Sequence, residues 1–250
     1  MAEKAHAEIE TLSVTLSVAD GTSMPAYVAR PTTGPVRAGL LVFQEAFGVN
    51  AHIRDVTDRF AREGYAAIAP ALFHRTDPNF EGTYGDFAPV MPHMQAITED
   101  GLAADIRAAY DWITDGSGSP VSAVGAIGYC LGGRVAFLAD AVVPVHAAVS
   151  YYGGGIAPNP RAPQGLLHRV PELQAPLLLF WGGKDTHLPA EQTRQIDDAL
   201  TEAGKAHTTV TFSEADHGFF CDVRASYNPH AAHQAWALTL AFFADHLPHS

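Results

Sequence analysis

Apolar residues along this chain fall into short runs, and the period of each run predicts an element. Residues 8 to 31 alternate around Asp20-Gly21, the signature of an opening β-hairpin. "AGLLVFQ" at 38 to 44 is almost continuously apolar, as in a strand covered on both faces. The following "NAHIRDVTDRFAREG" places Ile53, Val56, Phe60 and Ala61 at helical spacing and stops at Gly64. The alternation then repeats: a strand at 65 to 73, a helix near 99 to 114, a strand at 121 to 129 and the helix "LGGRVAFLAD". Two buried strands, "HAAVSYYG" and "PLLLFWGG", precede the helix "PAEQTRQIDDALTEAG", the strand "HTTVTFSEA" and the closing helix "HAAHQAWALTLAFFADHL". Strands alternating with helices predict a mainly parallel central sheet with helices on both faces, an α/β fold.

All 250 residues fit one domain of this kind, with a core large enough to stand alone. Residues 74 to 98, "HRTDPNFEGTYGDFAPVMPHMQAIT", are weakly periodic and rich in Pro and Gly, which marks a lid-like or pocket-wall segment.

Charge narrows the partners. A formal net charge of −12 leaves no basic stripe for nucleic acid or an anionic membrane surface, so a small-molecule substrate is expected. No apolar run is long enough to span a bilayer and no signal-like N-terminus is present, which predicts a cytoplasmic protein. Two cysteines make neither a disulfide framework nor a thiolate metal site, and the thirteen histidines show no HExxH spacing. Neither a metal nor a cofactor is expected.

In such sheets ligands bind beyond the carboxyl ends of the strands, so the residues just after each strand carry most of the chemical information. "GYCLG" has the pattern G-x-nucleophile-x-G between a strand and a helix, with Cys130 where serine is commoner. The helix starting at Leu131 points its free N–H groups at the sulfur and favours a thiolate. By itself the motif is equally compatible with an inert buried cysteine in a turn that needs glycine.

Two further loops shift that balance. Asp185 follows the strand "PLLLFW" and His217 follows "VTFSEA", giving the order nucleophile, acid, histidine along the chain. Asp216, beside the histidine, and His187, near Asp185, are the competing acid and base.

The stretches "LVFQEAFGVNAHIRDVTDRFAREGYAAIAPALF", "GAIGYCLGGRVAF", "LLLFWGGKDTHLP" and "EADHGFFCD" together resemble the dienelactone hydrolase family of α/β-hydrolases, over residues 8 to 247. The resemblance implies an α/β-hydrolase fold and a triad of Cys130, Asp185 and His217, with Glu45 controlling the resting thiol. It also places the oxyanion on the N–H groups of Leu131 and Ala46. The implied activity is cysteine-dependent hydrolysis of a carboxylic ester or lactone. A thioesterase, and a noncatalytic binding protein on the same fold, are the alternatives, as is a redox pair of Cys130 and Cys221.

The family's substrate-carboxylate arginine, four residues after the histidine, is replaced here by Cys221. Arg75 and Tyr84 in the lid-like segment, and Arg224 further along the histidine loop, are candidates for substrate binding. Tyr152 and Phe219 join them, with Phe47, Phe87, Tyr151 and Phe220 as further aromatic wall residues near strand ends.

Overall fold

The computed structural model describes residues 7–116, 121–160 and 162–248. Among the described residues eight strands form one sheet: β1 (Ile9–Ser17), β2 (Ser23–Pro31), β3 (Gly39–Phe43), β4 (Ala66–Pro70), β5 (Val124–Tyr129), β6 (Ala147–Tyr151), β7 (Leu177–Gly182) and β8 (His207–Phe212). Their spatial order is β1-β2-β4-β3-β5-β6-β7-β8. β1 and β2 pair antiparallel, as do β2 and β4, and every later neighbour is parallel. The opening hairpin turns where Gly21 takes φ +85° and Asp20 accepts a bond from the Thr22 N–H. β3, β5, β6 and β7 are buried along their whole length, which is why their sequences lack alternation. β1 and β8 lie at the edges, where only every second position needs cover.

The helices are α1 (Ala51–Arg62), α2 (Met91–Ala96), α3 (Glu99–Asp111), α4 (Leu131–Val142), α5 (Ala190–Glu202) and α6 (Pro229–His246). Asn50, Thr98 and Asn228 cap α1, α3 and α6 by accepting N–H bonds through their side-chain oxygens. The two faces of β5 show how the layers are divided. A Cβ on Gly125 would meet Phe243 and Leu247, on and just after α6, whereas one on Gly128 would meet Gly132 in α4. Positions of opposite parity on a strand point to opposite faces, so α4 and α6 cover the sheet from opposite sides. α1 joins the α6 side through Phe60, whose ring lies 4.6 Å from Trp236 and 6.1 Å from Phe243.

Several strands are shorter than their apolar runs, and β5 starts only at Val124. After Pro70 the chain leaves the sheet in turns, with Leu72 and Phe73 buried as loop residues. β8 ends at Phe212, because the Ala215 N–H folds back onto the Phe212 carbonyl. The segment from 74 to 98 is built of turns and the single short helix α2.

The parallel registers set the position of the site. Phe43 lies opposite Gly128, Tyr129 opposite Tyr151, Tyr151 opposite Phe180, and Gly182 opposite Phe212. Residues following β3, β5, β6, β7 and β8 therefore emerge along one sheet edge, although they come from distant parts of the sequence.

Candidate active site

Cys130 occupies the sharp turn between β5 and α4 with φ 54° and ψ −113°, a backbone conformation that L-residues rarely adopt. Its N–H donates to the Tyr151 carbonyl at 3.0 Å, and its carbonyl accepts from Gly133 N–H at 3.0 Å. Flanking glycines are a steric requirement here. A Cβ on Gly128 would strike the Gly132 backbone, and one on Gly132 would strike the Phe43 carbonyl. Strand, turn and helix are thus packed backbone against backbone, which fixes the thiol at the mouth of the sheet. Holding a non-glycine residue in such a region costs on the order of 1–3 kcal/mol, and this chain bears that cost at the cysteine.

His217 and Asp185 meet this thiol from the loops after β8 and β7. His217 Nδ1 lies 2.7 Å from Asp185 Oδ2, and the other carboxylate oxygen accepts the N–H groups of His187 and Leu188 at 2.8 and 3.1 Å. With Nδ1 engaged by the carboxylate, Nε2 is the nitrogen left for the thiol, and the Cys130 side chain hydrogen-bonds the imidazole. Burial pulls the His217 pKa down, but the Cys130 sulfur and the Asp185 carboxylate outweigh it and hold it raised, to about 10. Burial favours neutral Asp185, while the His217 hydrogen bond and charge reverse that and leave its pKa lowered. The three groups form a connected acid, histidine and thiol array.

The competing residues are placed differently. Asp216 is exposed and accepts the N–H of His217's own backbone at 2.6 Å. The His187 ring lies edge-on to His217, with centroids 5.2 Å apart.

Beside the thiol, Glu45 is fully buried just beyond β3 and accepts Arg224 Nη1 at 3.0 Å through Oε1. Leu131 and Ala46, whose N–H groups the resemblance assigns to the oxyanion, are buried at the start of α4 and just after Glu45. Arg224 crosses from the histidine loop and packs flat on Gly218, the one residue there that leaves room for a guanidinium. Burial lowers its pKa, but Glu45 and then Cys130 raise it overall, so this cation belongs to the thiol's electrostatic surroundings. Tyr84 reaches over from the 74–98 segment. Its hydroxyl accepts Asn50 Nδ2 at 3.0 Å and hydrogen-bonds Cys221, and its ring lies 4.6 Å from that of Phe47. Burial, with Glu45 close by, raises its pKa strongly. Tyr152 is buried next to His217, ring centroids 5.1 Å apart, and Phe219 packs against it at 5.2 Å. Phe87, 5.3 Å from Phe47, extends this aromatic wall to the surface.

Arg75 is not offered to this site. Its guanidinium is held by Asp105 at 2.8 and 2.9 Å, by Asp20 at 2.7 Å and by the Gly101 carbonyl, so it ties the loop after β4 to α3 and the hairpin turn. The sequence placed it in the pocket because it is the only arginine in the lid-like segment, and nothing local reveals that a fully buried aspartate on α3 claims it.

His52 escaped sequence reasoning altogether. It sits buried in the first turn of α1, edge-on to Tyr129 and Phe220 and close to Glu45. The Asn50 cap two residues earlier fixes which way that turn faces, but its distance to a strand-end glutamate depends on helix docking. Cys221 is a free, buried thiol whose pKa burial and then Glu45 push up to about 11.

The model of the dienelactone hydrolase family matches residues 24–247. A protein of Synechocystis sp. named "Putative carboxymethylenebutenolidase" is 38% identical over 227 residues, covering 88% of this chain and 91% of its own length. One of the same name from Escherichia coli is 35% identical over 234 residues, covering 90% and 84%. A solved structure titled "Putative Dienelactone Hydrolase", from Klebsiella pneumoniae, superimposes with a TM-score of 0.85 at 33% identity, covering 95% of this chain and 99% of that one.

Proposed function

Since the chain belongs to the dienelactone hydrolase family and is a hydrolase of the carboxymethylenebutenolidase-like kind, we propose that it is a cytoplasmic enzyme that cleaves carboxylic esters or lactones through Cys130, His217 and Asp185. The observation that carries this reading is the Asp185–His217 pair at 2.7 Å, hydrogen-bonded to a cysteine held at positive φ on the strand-to-helix turn.

The chemistry follows from the array. His217 Nε2 takes the proton of Cys130 Sγ, and the sulfur adds to the substrate carbonyl carbon. The C=O π pair moves to oxygen, where the N–H groups of Leu131 and Ala46 receive the negative charge. Collapse of this adduct breaks the C–O bond to the leaving alkoxide, which takes the proton from His217; in a lactone the alkoxide remains tethered to the acyl group. Water then gives a proton to His217, adds to the thioester carbon, and releases the carboxylic acid as sulfur leaves and regains its proton. Asp185 keeps the imidazole in the tautomer this cycle needs and stabilises its cationic form. Glu45 controls the resting thiol in this reading, and its release from Arg224 accompanies substrate binding. Arg224 and the wall of Phe47, Tyr84, Tyr152 and Phe219 orient the substrate.

The test is turnover of a small aryl ester and of a dienelactone, side by side, by the wild type and by Cys130→Ala. The wild type is expected to hydrolyse at least one and the variant neither, with an acyl adduct on Cys130 in intact-protein mass spectra of the wild type under excess substrate. Equal turnover by the two proteins would sink the cysteine mechanism and move the nucleophile elsewhere, and no turnover by either would leave ester and lactone cleavage without support.

A further inference from the structure

Glu45 follows β3, His52 lies in the first turn of α1 and Cys221 in the loop between β8 and α6, and the three converge. One donor atom from each lies within 4.8 Å of the others, and all three residues are buried. Two of those residues carry an unexplained polar atom. Glu45 Oε2 and His52 Nε2 are each shut off from solvent with no hydrogen-bond partner, and both side chains are more than nine-tenths buried. A buried polar atom left without a partner costs about 1–3 kcal/mol, so two beside a buried sulfur call for a shared partner.

We infer that this cluster is a binding site for a thiophilic divalent cation of the zinc type, with Glu45 Oε2, His52 Nε2 and Cys221 Sγ as its protein ligands. The donor set points to that class: one sulfur, one imidazole nitrogen and one carboxylate oxygen suit zinc, cobalt or cadmium and not magnesium or calcium, which take oxygen shells. Bonds of about 2.0–2.3 Å in a tetrahedron put donors roughly 3.3–3.7 Å apart, so the side chains close in by about 1 Å on binding. His52 Nδ1 lies 3.9 Å from Oδ1 of the exposed Asp222, beyond hydrogen-bond length, and Nε2 is the ring nitrogen closed off from solvent and left for an ion. Arg224 occupies only Oε1 of Glu45, so the second oxygen is available without breaking that pair. Binding forms metal–sulfur, metal–nitrogen and metal–oxygen bonds and releases the Cys221 proton to solvent, with no change of oxidation state.

Sequence spacing argues against any metal site, because the ligands at 45, 52 and 221 form no local motif. The fold supplies what the spacing lacks. The site uses neither Cys130 nor His217 and shares only Glu45 with the proposed ester-cleavage mechanism, so metal binding is read without turnover and can fail while ester cleavage stands.

The test is titration of the full, reduced chain with Co²⁺, followed by displacement with Zn²⁺. One equivalent of Co²⁺ is expected to produce a thiolate-to-cobalt charge-transfer band that Zn²⁺ abolishes. Cys130→Ala should keep the band and Cys221→Ser should lose it. His52→Gln, which removes the nitrogen ligand, should weaken Co²⁺ binding by about a hundredfold or more. No band in the folded wild type would overturn the site. So would a band that survives Cys221→Ser and His52→Gln but disappears in Cys130→Ala, which would place the ion on the nucleophile. The ester assay on the same preparations reports separately on the hydrolase mechanism.

Discussion

Replacing Arg224 by methionine removes the charge partner of a carboxylate that has no access to water. Glu45 has a side-chain exposure of 0%, against 15% for Arg224, and the pair is 3.0 Å apart. At that separation and an effective dielectric of about 20, two unit charges attract by about 5.5 kcal/mol. The desolvation already spent on Glu45 is not recovered when the arginine goes, so the net cost of Arg224→Met is expected at about 3–5 kcal/mol. For a chain of this size each kcal/mol moves Tm by about 2–4 °C, which predicts a fall of roughly 6–20 °C. Glu45→Gln is the informative counterpart. It removes the buried charge and leaves an arginine that can still reach solvent, so it should cost clearly less, on the order of 1–2 kcal/mol. In the double variant the loss should fall short of the sum by about 2 kcal/mol or more, the coupling of two groups in direct contact. Urea unfolding of all four proteins at pH 7 measures every term of this cycle. If Arg224→Met costs under about 1 kcal/mol, or Glu45→Gln costs more than Arg224→Met, the pair is not holding a buried charge and the reasoning fails.

Four further outcomes follow from the same structure. Asp185→Asn removes one cause of the raised His217 pKa, so the imidazole midpoint, followed by NMR, should fall from about 10 toward the ordinary 6.5, and kcat on an aryl ester should drop by on the order of 10³-fold or more; an unchanged midpoint would mean that the carboxylate does not act on the ring. The linked stability has a definite sign. The His217 contribution is complete below about pH 6.5 and lost as pH rises through about 10, whereas that of Asp185 is present above pH 3.8 and lost as pH falls through its lowered folded value, so Tm measured across pH should decline at both ends. Gly132→Ala drives a methyl group into the Phe43 carbonyl and should cost about 3 kcal/mol in urea unfolding, together with most of the esterase activity; a change within 0.5 kcal/mol would contradict the close approach of α4 to β3. Arg75→Met strips one partner from the fully buried Asp105 and should destabilise by about 3 kcal/mol while leaving KM for ester and lactone substrates unchanged, and a large rise in KM would return Arg75 to the pocket.

The sequence by itself determined the order and kind of the elements. Continuous apolar runs marked the central strands, because a strand covered on both faces has no solvent side to record. That Cys130, Asp185 and His217 would meet was legible for a related reason: in a parallel sheet, residues following strands share one edge whatever their separation along the chain. Apolar content misled where burial came from a loop, as at Leu72 and Phe73, since hydrophobicity reports cover and not strand pairing. Only the tertiary structure decided which charges meet. That Arg75 goes to Asp105 while Arg224 reaches Glu45, and that His52 and Cys221 close around the same carboxylate, depends on the docking of α1, α3 and the histidine loop. Long flexible side chains and helix placement leave no periodic trace, so such pairings become visible only when the elements are packed.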